Sequence, residues 1–216
     1  MSGDHHDHDH DHDHEGMLED QELSYRAKRS LAIQELLIDK GLMTRESIQH
    51  KMDIMASRSP TDGARIVARA WVDPEFKARL VADTRSAVAE LGYVLAPESQ
   101  LAVMENTDSV HHVVVCTLCS CYPTSLLGPP PDWYKSFAYR SRAVSDPRGV
   151  MREFGLELDT SVEVRVVDST ADLRYIVLPV RPAGTEDMSE EELAKLVNRD
   201  SMIGVTKASS PEVVNA

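Results

Sequence analysis

Three cysteines stand within six positions of one another, directly after a β-branched run, in Val113-Val114-Val115-Cys116-Thr117-Leu118-Cys119-Ser120-Cys121-Tyr122-Pro123. They are the only cysteines in the chain. The valine run reads as a strand, so the strand has to run out into a loop whose thiols lie close together. Loops so placed commonly carry function. A thiolate is a nucleophile and a soft metal ligand, and four chemistries compete for C-x-x-C-x-C. A disulfide framework wants an even count and an oxidising compartment, and fits poorly. A thioredoxin-like pair would use Cys116 and Cys119 and leave Cys121 unexplained. A structural zinc site needs a fourth ligand. His112 shares a strand face with Cys116, but four residues of strand separate them by about 13 Å, so that ligand would come from elsewhere. The fourth chemistry uses the backbone. If the amides of Ser120 and Cys121 lose their protons, they form a square plane with the sulfurs of Cys119 and Cys121. Cys116 caps the plane from below and one axial position stays open, an arrangement suited to a trivalent low-spin ion acting as a Lewis acid.

The segment from Val115 to Cys121 resembles the metal-claw motif of nitrile hydratase α subunits and of the related thiocyanate hydrolase γ subunit. The motif is specific, and the resemblance extends beyond it. Ala68-Arg69-Ala70-Trp71-Val72-Asp73-Pro74, Trp133-Tyr134-Lys135-Ser136, Asp146-Pro147-Arg148-Gly149-Val150, Arg181-Pro182-Ala183-Gly184-Thr185 and Arg199-Asp200-Ser201-Met202-Ile203-Gly204-Val205 are similar to the family, which covers the chain from about residue 25 to 205.

The resemblance implies one low-spin Co(III) held by the sulfurs of Cys116, Cys119 and Cys121 and the amide nitrogens of Ser120 and Cys121. It implies oxidation of Cys119 to sulfinate and of Cys121 to sulfenate, with Cys119, Ser120 and Cys121 forming the catalytic group. Thr117 and Tyr122 match the cobalt branch, where iron enzymes usually show Ser and Thr. Asp168 and Arg174 match positions where a carboxylate and a guanidinium hold the claw by hydrogen bonds, contacts that tune a metal as its ligands do. From the residues alone the two would be taken as a surface salt bridge. Asp172 stands where many relatives carry Glu.

The activity implied is hydration of a nitrile to its amide. The partners implied are a β subunit, giving an αβ heterodimer that assembles to a heterotetramer, and a metallochaperone or activator protein that inserts cobalt. Two other readings remain open: a thiocyanate hydrolase γ subunit, converting thiocyanate to carbonyl sulfide and ammonia, and a non-catalytic metal carrier. Two departures from the family touch the substrate pocket. Thr124 stands where nitrile hydratases usually carry a Trp, and Pro97 where many carry a Gln, with Gln100 nearby.

The net charge of −13 on 216 residues argues against nucleic acid as a partner and identifies no substrate. A hydrophobic content of 42% suits a soluble chain with one sizeable core. No apolar run approaches the roughly 20 residues that span a bilayer. A charged N-terminus and free thiols point to the cytoplasm.

In chain order, residues 1–16 form an Asp/His-rich segment in which 4–15 alternate Asp and His, with His5, His6, His8, His10, His12 and His14 among the chain's nine histidines. The segment cannot bury apolar surface and reads as a disordered tail, either simply solvated or loosely binding divalent metal. Residues 17–92 read as a helical arm. A first helix runs from Leu18 to Lys40 with a stripe of Leu31, Ile33, Leu36, Leu37 and Leu42. A second runs from Thr44 to about Ser57, and a third follows Ser59-Pro60. A fourth starts at Asp73-Pro74 and ends at Gly92, with Phe76, Leu80, Val81, Ala87 and Leu91 inward. Such an arm has little core of its own, and the resemblance implies that it wraps the β subunit.

Residues 93–207 read as an α+β domain carrying the cysteine loop, and 208–216 as a tail. Strands are predicted at Leu101–Glu105, His111–Val115, Val162–Val167 and Leu173–Val180, with short links after the first and third. Helices are predicted at Trp133–Arg142, from Pro147 to Gly155, and from Ser189 to about Val197. Ile203-Gly204-Val205 reads as a short strand. His111 and His112 read as structural histidines, and Met104, Met151 and Met202 as core.

Overall fold

A computed structural model describes residues 23–95 and 100–211. The Asp/His-rich segment, the start of the first expected helix and Pro97 lie outside the described residues.

Packing divides the chain into two units, Met1–His50 and Lys51–Ala216. In the first, α1 (Tyr25–Asp39) begins where the Ser24 hydroxyl accepts the Ala27 N–H at 3.2 Å, satisfying a donor that a helix start leaves unpaired. The helix α2 (Arg45–Ser57) runs across the boundary and begins with Thr44 and Ser47 exchanging side-chain and backbone hydrogen bonds. Neither helix buries a residue, and Leu31, Ile33 and Leu36 all stand exposed.

Of the helical arm expected over residues 17–92, the part from Lys51 onward groups with the remainder of the chain. The helices α3 (Pro60–Val72), α4 (Pro74–Ala82) and α5 (Thr84–Glu90) contribute Ile66, Val67, Phe76, Leu80 and Val88 to the same core as the strands. The single expected fourth helix is two. Asp83, at φ −145° and ψ 86°, ends α4, and its carboxylate accepts the Ser86 N–H at 3.2 Å to open α5. Val81 and Leu91, both expected inward, stand on the surface, while Phe76, Leu80 and Ala87 are buried.

Four strands follow in the chain: β1 (Gln100–Glu105), β2 (Val110–Val115), β3 (Glu163–Asp168) and β4 (Leu173–Leu178). Between β2 and β3 lie α6 (Thr124–Leu127), α7 (Asp132–Lys135), α8 (Phe137–Ser145) and α9 (Pro147–Glu153); α10 (Glu190–Lys195) and α11 (Arg199–Ile203) come last. The expected helix from Trp133 is interrupted at Ser136, whose backbone is extended and whose hydroxyl caps α8 through the Tyr139 N–H. Pairing is parallel: β1 with β4, and β2 with β3. The short links after β1 and β3 therefore close no hairpins and instead carry the chain from one sheet to the other. The parallel β2–β3 pair needs a long crossover, which α6 to α9 provide.

Ile203-Gly204-Val205, expected as a strand, ends α11 instead. Asn198 and Ser201 cap the helix start reciprocally, and Gly204 turns left-handed at φ +86° while the Gly204 and Val205 N–H groups donate to the Asp200 carbonyl. Gly204 packs against the backbone of β2. Val113, Val114 and Val115 are fully buried at the centre of the core. The result is an α+β fold of small sheets among helices, with the cysteine loop at the end of its most buried strand.

Candidate metal centre

The register of β2 on β3 sets Val115 opposite Asp168, so both strands end at the same level and Asp168 meets the chain as it leaves β2. Its carboxylate accepts the Thr117 N–H at 2.9 Å and the Thr117 hydroxyl at 2.6 Å. One residue on, the Ser169 N–H donates to the Val115 carbonyl at 2.7 Å. The loop then folds back, and the Cys119 N–H donates to Cys116 Sγ at 3.3 Å.

Ser120 has φ +71°, and among the described residues no other non-glycine has a positive φ. A left-handed L-residue costs about 1–2 kcal/mol, and its effect here is to close the distance across it. Side chains two apart on a strand stand about 6.6 Å apart, whereas Cys119 Sγ and Cys121 Sγ are 3.0 Å apart. Cys116 Sγ lies 3.6 Å from Cys119 Sγ, and all three sulfurs fall within 4.8 Å of one another. Cys116 is buried, Cys121 half-buried and Cys119 exposed, so the cluster has a closed floor and an open side.

Three side chains from the crossover hold the loop and the end of β2 by their carbonyls. The Tyr134 hydroxyl donates to the Cys121 carbonyl at 2.9 Å and the Tyr139 hydroxyl to the Val114 carbonyl at 2.6 Å. Arg140 Nη1 donates to the carbonyls of Thr117 and Leu118 at 3.3 and 3.1 Å. Tyr122 packs edge-on against Tyr134 with ring centroids 4.9 Å apart, and burial pushes its hydroxyl well above the usual phenol range.

The thiols do not ionise independently. Burial pushes Cys121 up to about 12, helped by its hydrogen bond to Cys119 and by the charges of Cys116 and Cys119. Burial also opposes ionisation of Cys116, but the N–H groups of Cys119 and Cys121 aimed at its sulfur outweigh it and bring the thiol below its usual range. Three sulfurs within 4.8 Å of one another are a soft donor set that a cation would hold together as thiolates. The donor set therefore fits a metal. Among the described residues no histidine or carboxylate joins the three sulfurs.

His111 and His112 are engaged elsewhere, as structural histidines. Asn106 Nδ2 lies 3.1 Å from His111 Nδ1, His111 Nε2 lies 2.8 Å from the Gly204 carbonyl, and Asn106 Oδ1 accepts the His112 N–H at 2.8 Å. Of the residues singled out around the claw, the structure brings Asp168, Thr117 and Tyr122 to the loop. Arg174 sits on β4 opposite Leu101, and among the described residues the hydrogen bonds to the loop come from Asp168, Tyr134 and Arg140, not from it. Thr124 opens α6 directly after the loop and is half-buried. Sequence reasoning missed the roles of Tyr134, Tyr139 and Arg140, which lie 13 or more residues from their loop partners.

The sequence matches the family model described as nitrile hydratase, alpha chain, over residues 24–206. The chain belongs to the nitrile hydratase alpha-chain family. It is 53% identical over 192 residues to the low-molecular weight cobalt-containing nitrile hydratase subunit alpha of Rhodococcus rhodochrous, covering 88% of this chain and 91% of that one. It is 44% identical over 197 residues to the thiocyanate hydrolase subunit gamma of Thiobacillus thioparus, covering 86% and 81%. Among solved structures it is similar to a double mutant of the Fe-type nitrile hydratase of Comamonas testosteroni Ni1, with a TM-score of 0.79, 42% identity and coverage of 85% and 90%. Among the described residues no helix is long and apolar enough to cross a membrane.

Proposed function

We propose that this chain is the α subunit of a cobalt nitrile hydratase, adding water across the C≡N bond of a nitrile to give the amide, in the cytoplasm and together with a β subunit. The observation that carries this reading is the convergence of Cys116, Cys119 and Cys121 around a left-handed Ser120. Such a loop would present the Ser120 and Cys121 amides beside the thiolates of Cys119 and Cys121, and a chelate of amide nitrogen and sulfur is a site for a trivalent ion. Cobalt is the choice over iron because Thr117 and Tyr122 fit the cobalt branch and the relative from Rhodococcus rhodochrous is a cobalt enzyme. When bound, cobalt supplies Lewis acidity toward a nitrile nitrogen and holds the thiolates and amides deprotonated. A metallochaperone or activator would deliver it.

The chain's own residues do the rest. Cys119 as sulfinate and Cys121 as sulfenate carry negative charge on oxygens at the open side of the cluster. The Cys121 sulfenate oxygen takes a proton from water as the water oxygen bonds to the nitrile carbon and returns it to nitrogen, giving the imidic acid; transfer of the remaining hydroxyl proton to the same nitrogen then gives the amide. Asp168 and Thr117 hold the loop's entry, and Tyr134 fixes its exit. Arg174 we place as a further hydrogen-bonding partner of the claw in the assembled enzyme.

Similarity to the thiocyanate hydrolase gamma subunit supports a second reading, and Thr124 bears on both. Thr124 removes an indole wall, which widens the pocket and weakens stacking on aromatic nitriles. It supplies no positive charge for a small anion such as thiocyanate, which favours the nitrile reading. The test is to assay the complex with a small aliphatic nitrile, a bulky nitrile and thiocyanate. Amide formation from at least one nitrile with little thiocyanate turnover supports the proposal, and the reverse ranking overturns it.

A further inference from the structure

We propose that Arg140 is a positioning residue of the metal centre, fixing the Thr117 and Leu118 peptide units from α8 and setting a positive charge of this chain's own against the thiolate loop. The inference rests on the reading of Cys116, Cys119 and Cys121 as the metal site. Peptide planarity is the first part of the argument. The Leu118 carbonyl, which accepts from Arg140 Nη1, shares a rigid peptide unit with the Cys119 N–H, which donates to Cys116 Sγ. Fixing one end of that unit aims the other at the first sulfur.

The second part is the footing of Arg140. Its helix is capped by Ser136, and the preceding residue, Tyr139, donates its hydroxyl to the Val114 carbonyl at 2.6 Å, so α8 is tied to β2 next to the place where Arg140 reaches the loop. The third is charge. Three thiolates and two deprotonated amides around a trivalent ion leave a net negative centre, and residues 113–123 contain no Lys or Arg. Arg140 Nε is buried without a hydrogen-bond partner among the described residues. A guanidinium held this way costs free energy unless negative charge nearby offsets it.

The experiment uses the full chain co-expressed with its partner subunit and cobalt, as wild type, R140Q and R140K. Cobalt per chain, the rate of cobalt release to EDTA, the cobalt–thiolate absorption band and Tm are measured for each. We expect R140Q to release cobalt about tenfold faster or more, the scale on which contacts behind a ligand act, with a shifted band. R140K, which keeps the charge, restores most of the retention. R140Q that holds cobalt at the wild-type rate with an unshifted band overturns the inference, as does cobalt loss in both variants in step with a lowered Tm. Should R140Q fail to assemble, R140K decides: near wild-type release supports the proposal, and release that rises with a lowered Tm overturns it. A wild-type complex without cobalt overturns the metal-site reading as well, whereas a cobalt-bearing wild type beside an indifferent R140Q overturns this inference alone.

Discussion

Replacing Gly204 by alanine tests how firmly the strand that carries the thiols is held in place. Gly204 sits at φ +86°, where an L-residue costs about 1–2 kcal/mol. A Cβ built there would overlap the His112 carbonyl oxygen and lie 3.2 Å from Val113 Cα. Both neighbours are backbone of β2, so no side chain can swing aside, and overpacking of this kind costs about 1–3 kcal/mol. The two effects together amount to about 2–5 kcal/mol, a large part of the roughly 5–15 kcal/mol that holds a typical domain folded. At about 2–4 °C per kcal/mol for a chain of this size, G204A should lower Tm by about 5 °C or more. The damage should also reach the metal. His112 stands four residues before Cys116, and the Gly204 carbonyl is bonded to His111 Nε2 at 2.8 Å. The assay is thermal unfolding of the purified complex with cobalt content measured on the same sample. A variant within about 1 °C of wild type and fully loaded with cobalt would refute the reasoning.

D168A should speed cobalt release and destabilise the loop by about 1–2 kcal/mol, the lower range for hydrogen bonds to a charged acceptor because the carboxylate is exposed. T117V removes only the 2.6 Å hydroxyl contact and should cost less, so an equal or larger effect from T117V contradicts the geometry. Burial, the largest influence on both His111 and His112, lowers their affinity for protons, with repulsion from Lys207 on His111 and from Arg165 on His112 adding to it; the Gly204 carbonyl and Glu163 oppose it. The unfolded chain then binds protons that the folded chain refuses, so this contribution to stability is complete above about pH 6.5 and falls as pH drops below it. H111N should flatten the fall in Tm between pH 7 and 5, and identical slopes would count against it. If the proposed β subunit completes the site, the chain purified alone should be inactive, with its α1 stripe of Leu31, Ile33 and Leu36 left exposed; nitrile hydration by the isolated chain would disprove this.

The parts of this fold that the sequence makes legible are those decided locally. Ser59-Pro60, Asp73-Pro74, Asp146-Pro147 and Ser189 announce helix starts because cap and first turn are neighbours in sequence, and the structure uses each of them. The strands β2 and β3 are visible as β-branched runs, and β1 and β4 as short apolar stretches. Their pairing is not, because alternation says which face is buried and nothing about which strand lies alongside. Asp83 shows the same limit in a helix: an apolar pattern that continues past it hides a capping residue that ends one helix and begins another. At the site, the convergence of the three thiols is legible in C-x-x-C-x-C, since the contacts span six residues, whereas the left-handed turn at Ser120 carries no signal in the sequence. Asp168 was reached through family resemblance. Arg140 and Tyr139 carry no such signal, because their partners lie more than 20 residues away and nothing in the local pattern marks a side chain that will grip a distant carbonyl.

The most direct test of the metal-claw reading is elemental analysis of the complex made in cobalt medium, combined with mass spectrometry of the peptide bearing Cys116, Cys119 and Cys121. The account predicts one cobalt per chain, an unmodified Cys116, a sulfinic acid at Cys119 and a sulfenic acid at Cys121. Zinc in place of cobalt, with three unmodified thiols, would contradict it.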